Sequence, residues 1–281
     1  MPDSTAAIAA LPTAPAAMRV GIFDSGVGGL SVLCALRVAI PGAALHYVAD
    51  SGHAPYGERD PSHVIDRSLR IASHLIDHGA QALVVACNTA TAVAIESLRD
   101  RWPMLAIIGV EPGIKPALAL SRKGRIGVMA TATTLGSARF QRLLSTHTRG
   151  QHVHLQACTG LAAAIERGQL DDPALLDLID AHCKPLRDVA VDTVVLGCTH
   201  YAFVRTQIQS ALGPGVQIVD TAAAVARHAA NVLGALQGNV TVRVSAPPVL
   251  LQTTGNPLQL QRVVRGWLRF DSRIEAAPEV L

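Results

Sequence analysis

The chain has 281 residues, of which 49% are apolar and 16% charged, and its formal net charge is +3. This length and composition predict a globular protein of one large or two ordinary domains and exclude a disordered chain. The charge is too weak and too evenly spread for nucleic acid, so we expect no nucleic-acid partner. No apolar run approaches the length of a transmembrane helix, and we expect no membrane partner either.

The five cysteines show neither a C-x-x-C pair nor a regular spacing. This usage argues against a disulfide framework and against a zinc site, and the odd count fits a reducing cytoplasm, which is the predicted location. Residues 1–17 are rich in Ala and Pro and carry no positive charge, so they do not resemble a secretory signal. We expect them to form a disordered N-terminal extension.

Short apolar segments alternate with segments of helical period along the rest of the chain. The predicted strands are 18–23, 45–48, 83–86, 105–110, 125–130, 152–157, 193–196 and 216–220, with 240–244 and 249–252 as a hairpin or a pair of strands. The predicted helices are 30–38, 61–77, 88–101, 135–144, 161–167, a long one from 173, one after 221, and 257–268. This alternation predicts an α/β fold with doubly wound parallel sheets.

The two halves of the chain repeat one design, which predicts two pseudo-symmetric α/β domains that face each other across a central cleft. The corresponding strand ends are Asp24-Ser25 with Ala130-Thr131 and Cys87 with Cys198. A Glu-Pro-Gly break at 111–113 marks the crossing between the domains. The predicted first domain comprises 18–110 and 221–281, and the predicted second domain comprises 111–220.

Cys87 and Cys198 each follow an apolar strand, at the end of a parallel sheet where ligand sites are built. A free thiol has a pKa near ~8.5, so a thiolate at neutral pH needs a nearby proton acceptor or helix amides. Asp24 is a candidate acceptor for Cys87, and His200 is one for Cys198. The other cysteines are interpreted as small buried apolar residues, namely Cys34, Cys158 and Cys183.

Two thiols without a metal suit proton transfer at carbon on both faces of a stereocentre. One thiolate removes the α-proton while the opposing thiol supplies a new one. Hydrogen-bond donors must also stabilise the carbanion, because acid–base catalysis alone supplies only ~10²–10⁴-fold. Candidate donors are Ser25, Asn88, Thr89 and Thr199. No lysine lies in a strand-end motif suited to a pyridoxal Schiff base, so we expect no cofactor and no metal.

The glycine-rich turn at 24–31 is not a dinucleotide or nucleotide loop. Ser31 stands where the third glycine is needed, and no lysine follows. Free N–H groups at the start of the next helix would bind a carboxylate as readily as a phosphate. We interpret Asp24 and Ser25 in this turn as substrate contacts rather than plain turn residues.

Five motifs, in order and spanning roughly residues 19–220, resemble those of bacterial glutamate racemases, in the cofactor-independent aspartate/glutamate racemase superfamily. They are Phe23-Asp-Ser-Gly-Val-Gly-Gly-Leu30, Pro55-Tyr-Gly57, Ala86-Cys-Asn-Thr-Ala90, Gly109-Val-Glu-Pro-Gly113 and Gly197-Cys-Thr-His-Tyr201. The resemblance implies an isomerase that interconverts L- and D-glutamate for peptidoglycan synthesis, and hence for cell-wall biogenesis and cell shape. The expected partner is glutamate, and a second copy of the chain is a candidate for a homodimer.

The resemblance also implies roles for individual residues. Cys87 and Cys198 would be the acid/base thiols, with Cys87 acting on D-glutamate and Cys198 on L-glutamate. The implied substrate contacts are Asp24, Ser25, Tyr56, Gly57, Asn88, Thr89, Thr199 and His200, with Thr131 and Thr134 from a similar strand-end segment.

Three other interpretations of the function stay open at this point. The first is a related racemase that acts on aspartate or a hydantoin, although the motif at 197–201 favours glutamate. The second is a non-catalytic amino-acid-binding protein, which has no need of thiols at both strand ends. The third is a thiol oxidoreductase, which the absence of a C-x-x-C pair disfavours.

Overall fold

The computed structural model describes residues 17–148, 151–237, 247–279 and 281. The strands are β1 (Arg19–Asp24), β2 (Ala44–Ala49), β3 (Ala82–Val85), β4 (Ala106–Gly109), β5 (Arg125–Ala130), β6 (His152–Ala157), β7 (Thr193–Gly197), β8 (Gln217–Val219), β9 (Val249–Thr253) and β10 (Ser272–Ala276). The helices are α1 (Leu30–Ala39), α2 (Pro61–Asp77), α3 (Asn88–Arg101), α4 (Ile114–Leu120), α5 (Ala132–Gly136), α6 (Ala138–His147), α7 (Leu161–Glu166), α8 (Pro173–Asp188), α9 (Arg205–Leu212), α10 (Ala222–Gln237) and α11 (Pro257–Trp267). Two 3₁₀ helices span Tyr56–Glu58 and Thr199–Val204. Within the described residues, no helix is both long and apolar enough to cross a bilayer.

The strands form two sheets whose paired strands all run parallel. The larger sheet has the order β10-β9-β2-β1-β3-β4, and the smaller has the order β6-β5-β7-β8. The first four strands of each half therefore follow the same order, with the first strand between the second and the third. This topology confirms the predicted pair of pseudo-symmetric, doubly wound parallel sheets.

We call the larger sheet with its helices the first lobe and the smaller sheet with its helices the second lobe. The strands β3 and β7 are buried along their whole length, which explains their unbroken apolar sequences. A continuous set of buried apolar side chains runs from β1 and β2 to β7 and α8, so the lobes pack against each other. Polar residues concentrate at the carboxyl ends of the strands.

The C-terminal segment adds two strands to the first lobe. Strand β9 pairs with β2 on one side and β10 on the other, and α10 packs against α1. Both edges of β9 are thus occupied, and the predicted hairpin or pair of strands with 240–244 involves a segment that lies outside the described residues. The strand β10 was not predicted. The domain bounds at 110–111 and 220–221 stay a prediction, and all but the last residue of the expected extension 1–17 lie outside the described residues.

One predicted helix is divided in two. The segment 135–144 was expected to be a single helix, but α5 ends at Gly136 and α6 begins at Ala138. Ser137 between them has an extended backbone, with φ −69° and ψ 142°, and its side chain accepts a hydrogen bond from the backbone N–H of Phe140. Serine capping therefore starts a new helix where apolar periodicity indicated continuity.

Candidate active site

Cys87 and Cys198 lie at the carboxyl ends of equivalent strands in the two lobes, Cys87 two residues after β3 and Cys198 directly after β7. Both are free thiols, and only 4% and 8% of their surfaces are exposed. Cys87 caps α3, and its Sγ accepts a hydrogen bond from the backbone N–H of Ala90 at 3.5 Å. Among the residues described, neither thiol belongs to a cluster of three or more His, Cys, Asp or Glu side chains suited to a metal ion. Each lobe thus contributes one buried thiol from equivalent strand ends.

Asp24, the last residue of β1, links the surroundings of the two cysteines. Its Oδ1 accepts hydrogen bonds from Ser25 Oγ at 3.1 Å and from the Gly26 N–H at 2.8 Å. Its Oδ2 accepts one from Thr199 Oγ1, in the second lobe, at 2.8 Å. The Cys87 thiol donates to Ser25 Oγ over 3.7 Å. The expected partnership of Asp24 with Cys87 therefore runs through Ser25, because both Asp24 oxygens already accept from other donors.

Burial sets the proton state around Cys87. Burial first, and then the nearby charge of Asp24, raise the pKa of the Cys87 thiol to about 12. Burial also raises the pKa of Asp24 to about 6, although the positive charge of His200 opposes this shift. At neutral pH Cys87 is therefore a protonated thiol that is able to donate its proton.

His200 joins Cys198 to a buried carboxylate. Its Nδ1 lies 3.9 Å from Cys198 Sγ, and its Nε2 lies 2.6 Å from Glu166 Oε2. Burial alone would lower the pKa of His200, but Cys198 and Glu166 outweigh it and raise that pKa well above its usual range. Burial would raise the pKa of Glu166, but the hydrogen bond from His200 contributes to lowering it. The two residues form an imidazolium–carboxylate pair whose Nδ1–H faces the sulfur of Cys198.

The turn after β1 is rich in glycine because other residues approach it closely. A Cβ on Gly28 would collide with the ring of His200, and one on Gly26 would collide with the carboxylate of Glu166. The backbone N–H of Val27 donates to Glu166 Oε2 at 2.9 Å. One N–H group of this turn therefore binds a carboxylate of the protein itself, and binding of a ligand carboxylate at the start of α1 stays a prediction.

Three buried threonine hydroxyl groups meet between the lobes. Thr89 Oγ1 on α3 lies 3.0 Å from Thr131 Oγ1 and 3.3 Å from Thr134 Oγ1, at the start of α5. Thr131 Oγ1 donates to Thr134 Oγ1 at 2.9 Å. The amide of Asn88 is engaged elsewhere, since its Nδ2 donates to the Val110 carbonyl at 3.2 Å. Hydroxyl groups that satisfy one another in this way can turn toward the oxygen atoms of a ligand.

Tyr56 and Gly57 lie in a 3₁₀ helix that Asp50 holds in place. The Tyr56 hydroxyl donates to Asp50 Oδ2 at 2.5 Å, and Arg67 donates to both oxygens of the same carboxylate at 2.9 and 2.8 Å. The Gly57 carbonyl accepts a hydrogen bond from Thr133 Oγ1 of the second lobe at 2.8 Å. The Tyr56 hydroxyl is thus occupied by Asp50, and a substrate contact by Tyr56 or Gly57 stays a prediction.

Three buried polar residues of the site were not identified from the sequence: Glu166, Asp50 and Arg67. Glu166 ends the short helix α7, and no motif around it marks it as a partner of His200. Asp50 did offer a signal, because it follows β2 as Asp24 ends β1, and the strands are neighbours in the sheet. Arg67 lies in an amphipathic helix, where an arginine usually indicates an exposed face.

Several known proteins are similar to this chain. A family model described as Asp/Glu/Hydantoin racemase matches residues 32–229. Glutamate racemase from Ralstonia pickettii is 45% identical over 256 residues, which cover 91% of this chain and 90% of that protein. The structure of glutamate racemase isoform RacE1 from Bacillus anthracis has a TM-score of 0.84 at 28% identity and covers 94% of this chain and 98% of that one. Escherichia coli glutamate racemase, in complex with L-glutamate and the activator UDP-MurNAc-Ala, has a TM-score of 0.81 at 28% identity, covering 92% and 98%.

These similarities extend over the regions that build the site. The matched range 32–229 includes both cysteines, His200 and Glu166. The Ralstonia relative aligns along nine-tenths of each chain, so the shared region is the whole two-lobed unit rather than one lobe. The chain belongs to the Asp/Glu/hydantoin racemase family.

Proposed function

We propose that the protein is a glutamate racemase that interconverts L- and D-glutamate by two-thiol proton transfer, without a cofactor. The main support is the pair of buried free thiols at equivalent strand ends, each with its own hydrogen-bonding partners. Glutamate is favoured over aspartate or a hydantoin because the Ralstonia relative is named a glutamate racemase and the E. coli structure contains L-glutamate. The five free cysteines favour a cytoplasmic location.

The two cysteines have different surroundings, which favours one starting state for the proposed reaction. Cys198 faces the positively charged imidazolium of His200, whose Nδ1 lies 3.9 Å from its sulfur. Cys87 is a neutral thiol. In the proposed reaction Cys198 removes the α-proton of L-glutamate, and Cys87 delivers its proton to the opposite face of the carbanion. D-glutamate leaves behind a Cys87 thiolate and a Cys198 thiol, and the reverse reaction begins from that state.

Burial makes the Cys87 thiolate a strong base. The burial that raises the pKa of Cys87 also raises the proton affinity of its thiolate once the proton has been delivered. Acid–base catalysis contributes ~10²–10⁴-fold, so the remainder has to come from stabilisation of the carbanion. The hydroxyl groups of Thr89, Thr131 and Thr134 are placed to donate to a substrate carboxylate, where the negative charge develops.

Exchange of the α-hydrogen with solvent tests the proposal directly. Each enantiomer of glutamate, aspartate and a hydantoin is incubated with the enzyme in D₂O, and proton NMR follows loss of the α-proton while circular dichroism follows inversion. We expect exchange and inversion for both enantiomers of glutamate, without added cofactor. Binding of glutamate without exchange would favour the amino-acid-binding protein, and exchange confined to aspartate or a hydantoin would favour the related racemase.

The proposed role of the product is to supply D-glutamate for peptidoglycan. Removal of the gene from the source bacterium should make growth depend on added D-glutamate, and loss of this supply should first show as a defect in cell shape. Growth without D-glutamate, in a strain that has no second source of it, would separate the enzyme from cell-wall synthesis.

A further inference from the structure

The carboxylate of Glu166 is shared between the two lobes. Within the second lobe, Oε2 accepts a hydrogen bond from His200 Nε2 at 2.6 Å. From the first lobe, Oε2 also accepts from the Val27 N–H at 2.9 Å, and Oε1 accepts from Ser51 Oγ at 2.7 Å. Only 12% of the Glu166 side chain is exposed, so these donors replace most of its contact with water. Glu166 therefore has its full set of donors only when the lobes are closed.

The backbone that carries Ser51 is held in place by the residue before it. The residue before it, Asp50, is completely buried and accepts hydrogen bonds from Arg67, Tyr56 and Thr254. A carboxylate held in this way fixes the backbone that follows it. The Ser51 hydroxyl is the only donor to Glu166 Oε1 among the described residues, whereas Oε2 has two.

We infer that Ser51 is a positioning residue for the Cys198 side of the reaction, an inference that rests on the proposed racemase function. A carboxylate can rotate about the bond that joins it to the side chain, and a second anchor on Oε1 stops this rotation. With Oε1 held by Ser51, Oε2 stays directed at His200 Nε2, and Nδ1 of the same ring stays directed at Cys198 Sγ. Because Ser51 belongs to the first lobe, closure of the lobes completes the alignment of the second-lobe base.

Isotope effects on the Ser51→Ala variant test this role. The free energies of L- and D-glutamate are equal in water, so a change in one transition state must lower kcat/KM equally in both directions. We expect a fall of about tenfold, the effect of one lost hydrogen bond to a charged group. Proton transfer at Cys198 then limits the rate more, so the isotope effect on kcat/KM should rise for α-deuterated L-glutamate. For α-deuterated D-glutamate, which reacts first at Cys87, it should fall.

Two further variants separate positioning from lobe closure. Ser51→Thr keeps the hydroxyl and should restore both isotope effects to the wild-type values. Thr133→Val removes a different hydrogen bond between the lobes, from Thr133 Oγ1 to the Gly57 carbonyl, and does not touch Glu166. It should weaken closure without moving the two isotope effects in opposite directions. An equal change in both isotope effects for Ser51→Ala, or none, would overturn the inference.

NMR of the histidine rings tests the positioning role of Ser51 independently of the racemase activity. In the wild-type protein the Nε2–H of His200 donates to Glu166, and its resonance is assigned by its loss in His200→Asn. Ser51→Ala should shift this resonance, and Ser51→Thr, which keeps the hydroxyl, should leave it in place. A wild-type protein that racemises no glutamate would refute the proposed function alone. An unshifted His200 resonance in Ser51→Ala would refute the positioning role of Ser51 alone.

Discussion

At the scale of single residues, Cys87 and Cys198 differ in their surroundings, and in the proposed mechanism each acts on one face of the substrate. A serine hydroxyl has nearly the same size as a thiol but is a far weaker acid. We expect Cys87→Ser and Cys198→Ser each to lower kcat/KM for both enantiomers by at least roughly 10²–10⁴-fold. Initial rates measured by circular dichroism check the loss, and thermal unfolding checks that the fold is kept.

Cys34→Ser is the matched control for these substitutions. Cys34 is half-buried in α1, and its Sγ donates a hydrogen bond to the Trp267 carbonyl at 4.0 Å. We expect this variant to keep the wild-type rate. Normal activity in either Cys87→Ser or Cys198→Ser would exclude a mechanism that uses both thiols.

Gly28 tests the close approach of the turn after β1 to the second lobe. The backbone of Gly28 does not have a positive φ angle, so an alanine there adds no backbone strain. The substitution acts only through the contacts of the added Cβ. Its Cβ would collide with the ring of His200 and with Thr199 Oγ1. We expect Gly28→Ala to displace the ring and to lower kcat/KM by roughly 10²-fold, as a displacement of about 1 Å does. Gly136→Ala, whose added Cβ meets no atom within 4 Å, should keep full activity in the same assay.

At the scale of helices and strands, the residues at strand ends could be predicted from the sequence, because an apolar run that stops at a polar residue has one simple interpretation in a parallel sheet. Asp24, Cys87, Thr131 and Cys198 were found in this way. Glu166 could not be, because its role depends on how α7 packs against the first lobe. The strand β10 was missed because its sequence, Ser-Arg-Ile-Glu-Ala, has one large apolar residue, and it gains its place by pairing with β9.

The attachment of β9 to β2 gives a prediction about pH. His46 on β2 and His74 on α2 each direct Nε2 at Gln252 Oε1 on β9, at 2.8 and 2.7 Å. Burial lowers the pKa of His46 from 6.5 to about 4, and burial also lowers the pKa of His74. The neighbouring charges are His78, Asp77 and Glu275, the last two of which oppose the shift. The unfolded chain therefore binds protons that the folded protein excludes.

The sign of the effect follows from this difference. The contribution that His46 makes to the free energy of unfolding is fully present above pH 6.5. It is lost as the pH drops from 6.5 toward about 4. Allowing for partial exposure of the ring, we expect His46 to account for a loss of about 2 kcal/mol in the free energy of unfolding. Urea unfolding at a series of pH values should show this loss in the wild type and a smaller one in His46→Gln. His152→Gln, which removes an exposed histidine, should follow the wild-type curve, and identical curves for all three proteins would refute the assignment.

At the scale of the whole molecule, the lobes are closed over the site. The hydrogen bonds that cross between them include Thr199 Oγ1 to Asp24 Oδ2, Ser51 Oγ to Glu166 Oε1, Thr133 Oγ1 to the Gly57 carbonyl, and the Gly160 N–H to Glu58 Oε1. Both thiols are almost completely buried in this state. In the proposed reaction, substrate would reach them when the lobes separate, and closure afterwards would exclude water from the reacting carbon.

This requirement predicts how the thiols react with an alkylating reagent. Cys87 and Cys198 are accessible only in the open state, so their modification rates report the population of that state. Glutamate that binds between the lobes favours closure, and we expect saturating glutamate to slow modification of both cysteines by the same factor. Cys34 is only half-buried in the closed protein and should react at an unchanged rate. Mass spectrometry of the separate peptides measures the three rates in one experiment, and protection of only one of the two thiols would place them in separate pockets.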